Sequence, residues 1–285
     1  MDWLLLTSFS IVSRSIYGVM TKVLSNKVKT SSYTQATLLP LGGALLAFVL
    51  APFLGGLTTD FSRVSIIAAL LVILGQGFGN IVYFEAIKNL TSGTAQIAFS
   101  SILLFNTVLS LAFLNLHLSF LNVFGLILLS LAILSVTTGK VEFHKKGIIL
   151  MVFSAFLFSI FQLSSSEISK QVSAATYLLI AYIGATLVVF ILKWKIVIND
   201  IRHAESLKLT LGIPLLTAVP SLGNFLFAYY AYRTAPEPAK VAMLLTSQVV
   251  LTVILSYFFL KEKNHLLRKI IAAALVVTAA ILIKS

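Results

Sequence analysis

The feature that constrains this chain most is a series of ten apolar stretches, each about as long as a membrane is thick. They are predicted at 3–24, 31–53, 64–87, 93–115, 119–138, 147–168, 174–192, 209–232, 238–260 and 265–284. A helix needs about 20 apolar residues to cross the hydrocarbon core, and its backbone amides must be satisfied within the segment. Membrane barrels are built from short alternating strands, and these stretches do not alternate. The sequence therefore predicts an all-α integral membrane protein with ten transmembrane helices.

The composition agrees with lipid as the solvent. Of the 285 residues, 59% are hydrophobic and 11% are charged, whereas a soluble domain has about 25% charged residues. The 21 lysines and arginines outnumber nine acids, which would indicate nucleic-acid binding in a soluble protein. Here they lie between apolar stretches, as in membrane proteins. We therefore expect the lipid bilayer, and no nucleic acid, among the partners.

The cysteine content and the first apolar stretch are also informative. The chain has no cysteine, so disulfides and thiolate chemistry are excluded. The first stretch is too long for a signal-peptide core and is interrupted by Arg14, which predicts a retained first span.

The two halves of the chain match when one is shifted by 144 residues. Without gaps, this shift superimposes the first five predicted spans on the last five and places Gly79-Asn80 on Gly223-Asn224. Because five is an odd number, the two halves must cross the membrane in opposite directions. In most equivalent pairs, a loop rich in lysine and arginine in one half corresponds to a loop with few of them in the other half. These observations predict two inverted five-helix repeats, 1–140 and 145–285, an arrangement typical of secondary transporters.

Short sequences near the loops resemble a known family. The first half has Glu85-Ala86-Ile87-Lys88 before Thr91-Ser92-Gly93-Thr94-Ala95, and the second has Ala231-Tyr232-Arg233-Thr234-Ala235 and Leu260-Lys261-Glu262-Lys263. With the repeated spans, the whole chain resembles the ten-helix EamA-type branch of the drug/metabolite transporter superfamily, although Leu116-His117-Leu118 stands where an acid is usual. The resemblance implies alternating access and export or exchange of small metabolites. It also implies a central cavity between spans one, three, four, six, eight and nine.

Loop charge bears on the orientation of the chain. Fifteen basic residues lie in or beside odd-numbered loops and four lie in or beside even-numbered ones. The positive-inside rule then predicts odd loops in the cytoplasm and both termini outside. The family resemblance implies both termini inside. The two arguments agree that the termini share one side of the membrane.

The strongest single signal for a binding site is Arg14. It lies near the middle of the first span, where an arginine costs roughly 2.5–3.5 kcal/mol on insertion scales. Ser10, Ser13, Tyr17 and Thr21 share its helical spacing, which predicts a polar stripe facing a cavity. One hypothesis is that Arg14 receives a substrate carboxylate or phosphate. The alternative is that it holds carbonyls or a glutamine between helices.

Further polar residues are predicted within the spans. Span three carries Gln76, Asn80 and Tyr83 at helical spacing beside several glycines, and Asn224 repeats Asn80 in span eight. Each intramembrane amide, Asn106 included, could instead form an interhelical hydrogen bond. The tyrosines at 229, 230 and 232 are interpreted as an interfacial aromatic belt. The predicted substrate-binding residues are Arg14, Tyr17, Gln76, Asn80, Tyr83, Gln96, Gln162, Asn224 and Gln248.

The acids and histidines narrow the function. All nine acids lie in tails, in loops or near span ends, which disfavours export of a lipophilic cation and leaves Glu85 as the candidate proton carrier. The four histidines lack metal-ligand spacing, and no phosphate-binding loop or nucleophile elbow occurs. We therefore expect no catalytic residue, metal or cofactor.

The sequence thus predicts a secondary transporter, working as an exporter by alternating access in the plasma or inner membrane. Its predicted substrate is a small carboxylate-bearing metabolite, similar to an amino acid. A lipid-linked or sugar-phosphate carrier is one alternative, and a non-transporting scaffold or receptor is another. The sequence leaves a homo-oligomer open.

Overall fold

A computed structural model describes residues 2–58, 61–114, 119–137, 145–236, 241 and 244–284. This described part is helical, without strands. Numbered in chain order, the helices are α1 (Trp3–Lys27), α2 (Ser32–Leu50), α3 (Arg63–Lys88), α4 (Ser92–Phe99), α5 (Ile102–Leu114), α6 (Phe120–Thr137), α7 (Lys145–Ile168), α8 (Ala174–Arg202), α9 (Leu207–Thr234), α10 (Gln248–Leu260) and α11 (Leu266–Lys284).

These helices form the ten predicted spans. Helices α4 and α5 follow one another across Ser100 and Ser101 and together make the fourth span, while residues 244–246 and α10 contribute to the ninth. Eight candidate spans are long and apolar enough to cross a membrane, and Phe120–Ser135 and Leu244–Leu260 are shorter apolar helices. The prediction of an all-α membrane fold is confirmed.

Hydroxyl side chains begin most of the helices that follow short loops. The side chains of Ser31, Ser62, Thr91, Ser173 and Ser206 each accept a hydrogen bond from the backbone N–H three residues later. Such caps satisfy one of the backbone donors that a helix leaves free at its start. Loops of a few polar residues therefore suffice between spans.

Helix α8 extends further than the sequence predicted. The apolar stretch ends at 192, and residues 193–208 were expected to separate two spans. Instead the helix continues to Arg202 after a kink at Lys193, where φ is −138° and ψ is 26°. Hydropathy detects where a chain leaves the lipid, whereas a helix ends only where its backbone hydrogen bonds do. The predicted start of span nine at Pro238 lies outside the described residues.

The packing of the helices repeats between the two halves. Helix α9 packs extensively on α1, and its repeat equivalent α3 packs extensively on α7, the equivalent of α1. Helix α2 packs on its own equivalent α8, and α6 packs on its equivalent α11. The two-repeat architecture predicted from the sequence is therefore confirmed.

The repeated glycine marks where these helices cross. A Cβ on Gly79 would come 2.9 Å from the ring of Phe158 in α7, and one on Gly223 would come 3.0 Å from Ser13 Oγ in α1. Ser154 Oγ donates to the Gly79 carbonyl at 3.1 Å. Glycine at both places lets the neighbouring helices approach closely, because a Cβ there would press against a side chain of the facing helix.

The helices alternate in direction, so the loops collect at two ends of the molecule. The basic end carries the loops at 28–31, 89–91, 203–206 and 261–265, and the terminal end carries the start of α1, the end of α11 and the loops at 54–58, 61–62 and 169–173.

Candidate substrate site

A central cavity lies between the two repeats, with an empty volume of about 930 Å³ that includes its open part. Helices α1, α3, α4, α7 and α9 supply most of its wall, as the family resemblance implied, and α2 and α8 add Leu39 and Tyr177. Eight of the nine predicted substrate-binding residues line it: Arg14, Tyr17, Gln76, Asn80, Tyr83, Gln96, Gln162 and Asn224. The ninth, Gln248, lines a smaller neighbouring pocket.

The cavity is closed toward the basic end and extends toward the terminal end. Beyond Tyr83 and Gln96 lies a buried apolar cluster that includes Leu24, Phe84 and Ile87. In the other direction the lining reaches Tyr229, close to the end of α9. The lining of the cavity therefore reaches closer to the terminal end than to the basic end.

Arg14 lines this cavity, and no described residue of opposite charge pairs with it. Its guanidinium carbon lies 5.6 Å from the centroid of the Phe99 ring. A cation over an aromatic face gains about 0.5–2 kcal/mol. Among the described residues, its guanidinium has no ion pair and no hydrogen bond. The alternative interpretation, in which Arg14 holds carbonyls or a glutamine between helices, does not occur in this part of the chain.

The predicted polar stripe of α1 divides between two roles. Arg14 and Tyr17 line the cavity, whereas Ser10 Oγ donates to the Asn224 backbone carbonyl at 3.0 Å and lies 3.0 Å from Asn224 Oδ1. Thr21 Oγ1 lies 3.2 Å from the Tyr83 hydroxyl. These contacts fix the helix that carries Arg14 against α9 and α3.

Two chains of amide side chains flank Arg14. In the first, Gln248 Nε2 lies 3.5 Å from Gln96 Oε1, and Gln96 Nε2 donates to the Tyr83 hydroxyl at 3.0 Å. The second series of hydrogen bonds links three other helices through Asn106, Gln162 and Tyr232. Asn106 Nδ2 donates to Gln162 Oε1 at 3.1 Å, and Gln162 Nε2 donates to the Tyr232 hydroxyl at 2.8 Å. These amides both bridge helices and line cavities, so the two roles weighed from the sequence are compatible.

An aromatic wall was missed by the sequence analysis. The Phe99 and Phe158 ring centroids are 5.5 Å apart, and those of Phe161 and Phe225 are 5.4 Å apart. All four rings line the cavity. The chain has 21 phenylalanines, and their spacing in the sequence does not distinguish a ring that faces a cavity from one that faces lipid.

The interpretation of the tyrosines as an aromatic belt is wrong for two of them. Tyr229 and Tyr232 line the cavity. The Tyr229 hydroxyl donates to the Val172 carbonyl at 2.7 Å and accepts from Arg233 at 3.0 Å. Their position near the end of α9 resembled a belt because the cavity itself reaches that end.

The acids among the described residues lie away from this wall. Glu85, the candidate proton carrier, accepts a hydrogen bond from Ser32 Oγ at 2.5 Å near the basic end and does not line the cavity. Within the described residues that line the cavity, Arg14 is the single charged side chain. No group of metal-ligating residues occurs in the described ranges. The electrostatics of the lining therefore favour a ligand with negative charge.

Ten spans in two repeats around a central cavity are the architecture of a multi-pass membrane transporter of small solutes. The model of the EamA-like transporter family matches residues 1–138 and 145–285. The chain belongs to this family, part of the drug/metabolite transporter superfamily, and its members are carriers that bind small molecules within a lipid bilayer.

The comparison with solved structures agrees on the fold. A solved structure titled "Crystal structure of protein" superposes with a TM-score of 0.64 at 15% sequence identity, over 98% of this chain and 94% of that chain. At this identity the likeness concerns the fold alone. No curated protein matches the sequence of the chain.

Proposed function

We propose that this transporter exports a small carboxylate-bearing metabolite, similar to an amino acid, across the plasma or inner membrane by alternating access. The observation that carries the proposal is Arg14, a cation that lines the cavity against Phe99 without an anionic partner among the described residues. A guanidinium binds a carboxylate through two parallel hydrogen bonds. Arg14 is therefore the anchor for the anionic group of the solute.

The neutral lining supports a solute that also carries an ammonium group. Gln76 is buried in the cavity wall, and its Oε1 has no hydrogen-bond partner within the described ranges. A buried acceptor without a donor costs free energy, and an ammonium group would satisfy it. Arg14 and Gln76 together suit an amino acid, which has both charges.

The aromatic wall supports the same class of solute. Phe158, Phe161 and Phe225 offer apolar surface beside the polar residues of the cavity. Small-molecule sites are mostly apolar, with a few polar groups that fix the orientation of the ligand. The side chain of the solute would lie against these rings while its charged groups face Arg14 and Gln76.

The repeats supply the route for alternating access. In inverted-repeat carriers, one repeat rocks against the other around a site near the bilayer midplane. The contacts of α1 with α9 and of α3 with α7 are equivalent by the repeat, so exchanging their geometry would close the terminal end and open the basic end. Arg14, in the middle of α1, would stay between the two openings.

The alternatives are less well supported by the same residues. A sugar phosphate or other phosphate monoester carries about two negative charges near neutral pH, whereas Arg14 is the single charged residue in the described lining. A scaffold or receptor would not require an unpaired cation in a cavity. A carrier of a monoanionic or zwitterionic solute fits the described lining best.

Solute counterflow tests the proposal. Proteoliposomes preloaded with mixed amino acids are incubated with one labelled amino acid at a time. We expect exchange by the wild-type chain, loss of exchange in Arg14→Gln, and partial exchange in Arg14→Lys, with folding verified by size exclusion. Exchange of labelled hexose phosphate in place of amino acids would support the phosphate carrier. Exchange of neither class would support a scaffold.

A further inference from the structure

Helix α8 continues beyond the length that crosses the membrane. Before the kink at Lys193, residues 174–192 make about 28 Å of helix at about 1.5 Å per residue, close to the hydrocarbon thickness of about 30 Å. The last of these residues, Ile191 and Leu192, are apolar and 68% and 53% exposed, so they contact lipid. Residues 193–202, the α8 extension, therefore begin at the level of the lipid headgroups at the basic end.

The α8 extension presents cations on its exposed surface. Lys193, Lys195 and Arg202 are exposed, and none of them forms an ion pair within the described part of the chain. The acid of the extension, Asp200, turns toward the protein, where it accepts two hydrogen bonds from the start of α2. Three positive charges are thus left on the outer surface.

A fourth cation lies beside the extension. Lys193 Nζ lies 5.4 Å from the centroid of the Tyr33 ring in the first turn of α2. Lys88 Nζ, at the end of α3, donates to the Thr30 carbonyl at 3.2 Å, and Lys88 is exposed. Both contacts lie at the start of α2, so the cations of α3 and α8 are neighbours. The cationic patch consists of Lys88, Lys193, Lys195 and Arg202.

The repeat equivalent of the α8 extension carries no cation. Shifted by 144 residues, the extension corresponds to residues 49–58 at the terminal end, which contain neither lysine nor arginine. Lys193 and Lys195 correspond to Val49 and Ala51 there. One repeat thus completes its packing without these charges, so the fold does not account for them. A negatively charged partner at the basic end does.

The surroundings of the cationic patch favour lipid as that partner. Trp194 lies between two lysines of the patch and is 48% exposed, and tryptophan is enriched at the level of the headgroups. A nucleic acid or an acidic protein would have to displace headgroups to reach this level. Anionic headgroups already lie there, and each lysine or arginine near them is attracted to their charge.

We infer that the cationic patch binds the headgroups of anionic lipids in the leaflet at the basic end. The ammonium and guanidinium groups attract the negative charge of the lipid, while Trp194 holds the extension at the interface. The inference goes beyond the proposed function and depends neither on Arg14 nor on the identity of the solute.

Tryptophan fluorescence reports the lipid beside the patch, because the chain has only two tryptophans, Trp3 and Trp194. Trp3→Phe leaves Trp194 as the single probe. The purified protein is placed in nanodiscs of equal parts phosphatidylglycerol and phosphatidylcholine, with quenching bromine atoms on the acyl chains of one lipid or the other. We expect an about fivefold preference of the Trp194 surroundings for phosphatidylglycerol, the effect of one cation at an anionic surface. Equal quenching by the two brominated lipids would overturn the inference.

A matched pair of variants separates the patch from the net charge of the chain. In the Trp3→Phe background, Lys193→Gln with Lys195→Gln should lower the preference to less than about twofold. Arg63→Gln with Lys170→Gln removes the same charge from exposed residues at the terminal end and should keep the full preference. Size exclusion verifies folding. A preference that persists in the first double variant, or falls equally in both, would overturn the role of the patch.

A second probe position compares the two leaflets. Phe53 follows α2 at the terminal end and is 83% exposed. Phe53→Trp, combined with Trp3→Phe and Trp194→Phe, places the single tryptophan there, and the two brominated lipids should quench it equally. A preference for phosphatidylglycerol as large as that at Trp194 would show that the patch adds nothing, and would overturn the inference.

Salt and soluble phosphate test the patch without any substitution in it. Between about 0.1 M and about 1 M salt the Debye length falls from about 10 Å to about 3 Å, so the preference at Trp194 should decrease. Inorganic phosphate, at a concentration that leaves the ionic strength nearly unchanged, should not affect it. A preference that is insensitive to salt would contradict an electrostatic origin. Its loss in dilute phosphate would identify a site for soluble anions and overturn the assignment to lipid.

Discussion

The basic end and the terminal end differ in the hydrogen bonds that join their equivalent loops. At the basic end, Asp200 accepts hydrogen bonds from the Ser31 backbone N–H at 2.8 Å and from Thr34 Oγ1 at 2.6 Å. The equivalent loops at the terminal end are joined by neutral groups: Thr58 N–H donates to Thr176 Oγ1 at 2.7 Å. Charge-assisted hydrogen bonds are about twice as strong as neutral ones.

A buried carboxylate strengthens the basic end further. Glu262 accepts hydrogen bonds from the first N–H groups of α4, at Ser92 (2.7 Å) and Gly93 (3.3 Å). Its Oε2 lies 3.5 Å from Lys269 Nζ, and the two side chains are 10% and 7% exposed. Position 118, the repeat equivalent of Glu262, carries leucine and lies outside the described residues. The comparison teaches that carboxylates hold the loops of the basic end together, whereas neutral hydrogen bonds hold those of the terminal end.

Glu262→Gln should weaken the basic end most. It leaves the nearly buried Lys269 without its carboxylate, and breaking a buried ion pair costs about 3–5 kcal/mol. We expect the free energy of unfolding to fall by about 3 kcal/mol, at the lower end of that range because glutamine still accepts one N–H. Unfolding by titration with a denaturing detergent measures this. Glu167→Gln, which removes an exposed pair with Lys170, is the control, and an equal loss in both would refute the assignment.

Asp200→Asn should have the second largest effect. Asparagine retains the oxygen that accepts from Ser31 and Thr34 but lacks the charge, and hydrogen bonds to charged groups contribute about 1.5–3 kcal/mol. Since Asp200 is only half-buried, we expect a loss of about 1.5 kcal/mol in the same unfolding assay. No loss would show that the charge adds nothing at this end.

Ser173→Ala tests the terminal end, where the contacts between loops are neutral. Its hydroxyl caps α8 by accepting from the Thr176 N–H at 3.2 Å and donates to the Gly56 carbonyl at 2.7 Å. Loss of a serine cap costs about 1 kcal/mol, and we expect that decrease in unfolding free energy. The measurement sharpens the comparison if Ser173→Ala costs less than Asp200→Asn. A larger cost than for Asp200→Asn would reverse the order of the two ends.

Lys29→Ala should have the smallest effect. Its ion pair with Glu205, at 3.1 Å, joins side chains that are 76% and 74% exposed. Exposed pairs contribute about 0–1 kcal/mol, so the unfolding free energy should change by less than about 0.5 kcal/mol. A change as large as that of Asp200→Asn would mean that surface charge alone holds the basic end.

The sequence predicted the spans and most of the cavity because both depend on local signals. Apolar length located the helices, and polar residues inside a span located much of the wall, since a polar group in lipid must face protein or water. Arg14 and Gln76 could be found in this way.

The rest of the site depends on packing that has no local signal. The sequence around Phe158 and Phe225 does not differ from the sequence around phenylalanines that face lipid. The aromatic wall forms only when α7 packs against α9. The start of α5 inside the fourth span could not be predicted either, because Ser100 and Ser101 stand within an otherwise continuous apolar stretch.

Chemical restoration of the charge at position 14 tests the central claim most directly. Because the chain has no cysteine, Arg14→Cys provides its single thiol. A methanethiosulfonate reagent attaches an aminoethyl group to that thiol as a mixed disulfide and releases methanesulfinate, which restores a cation at the cavity wall. We predict that Arg14→Cys does not exchange amino acids, that the aminoethyl reagent restores exchange, and that the methyl reagent does not. Full exchange without reagent, or equal restoration by the neutral methyl group, would contradict the account.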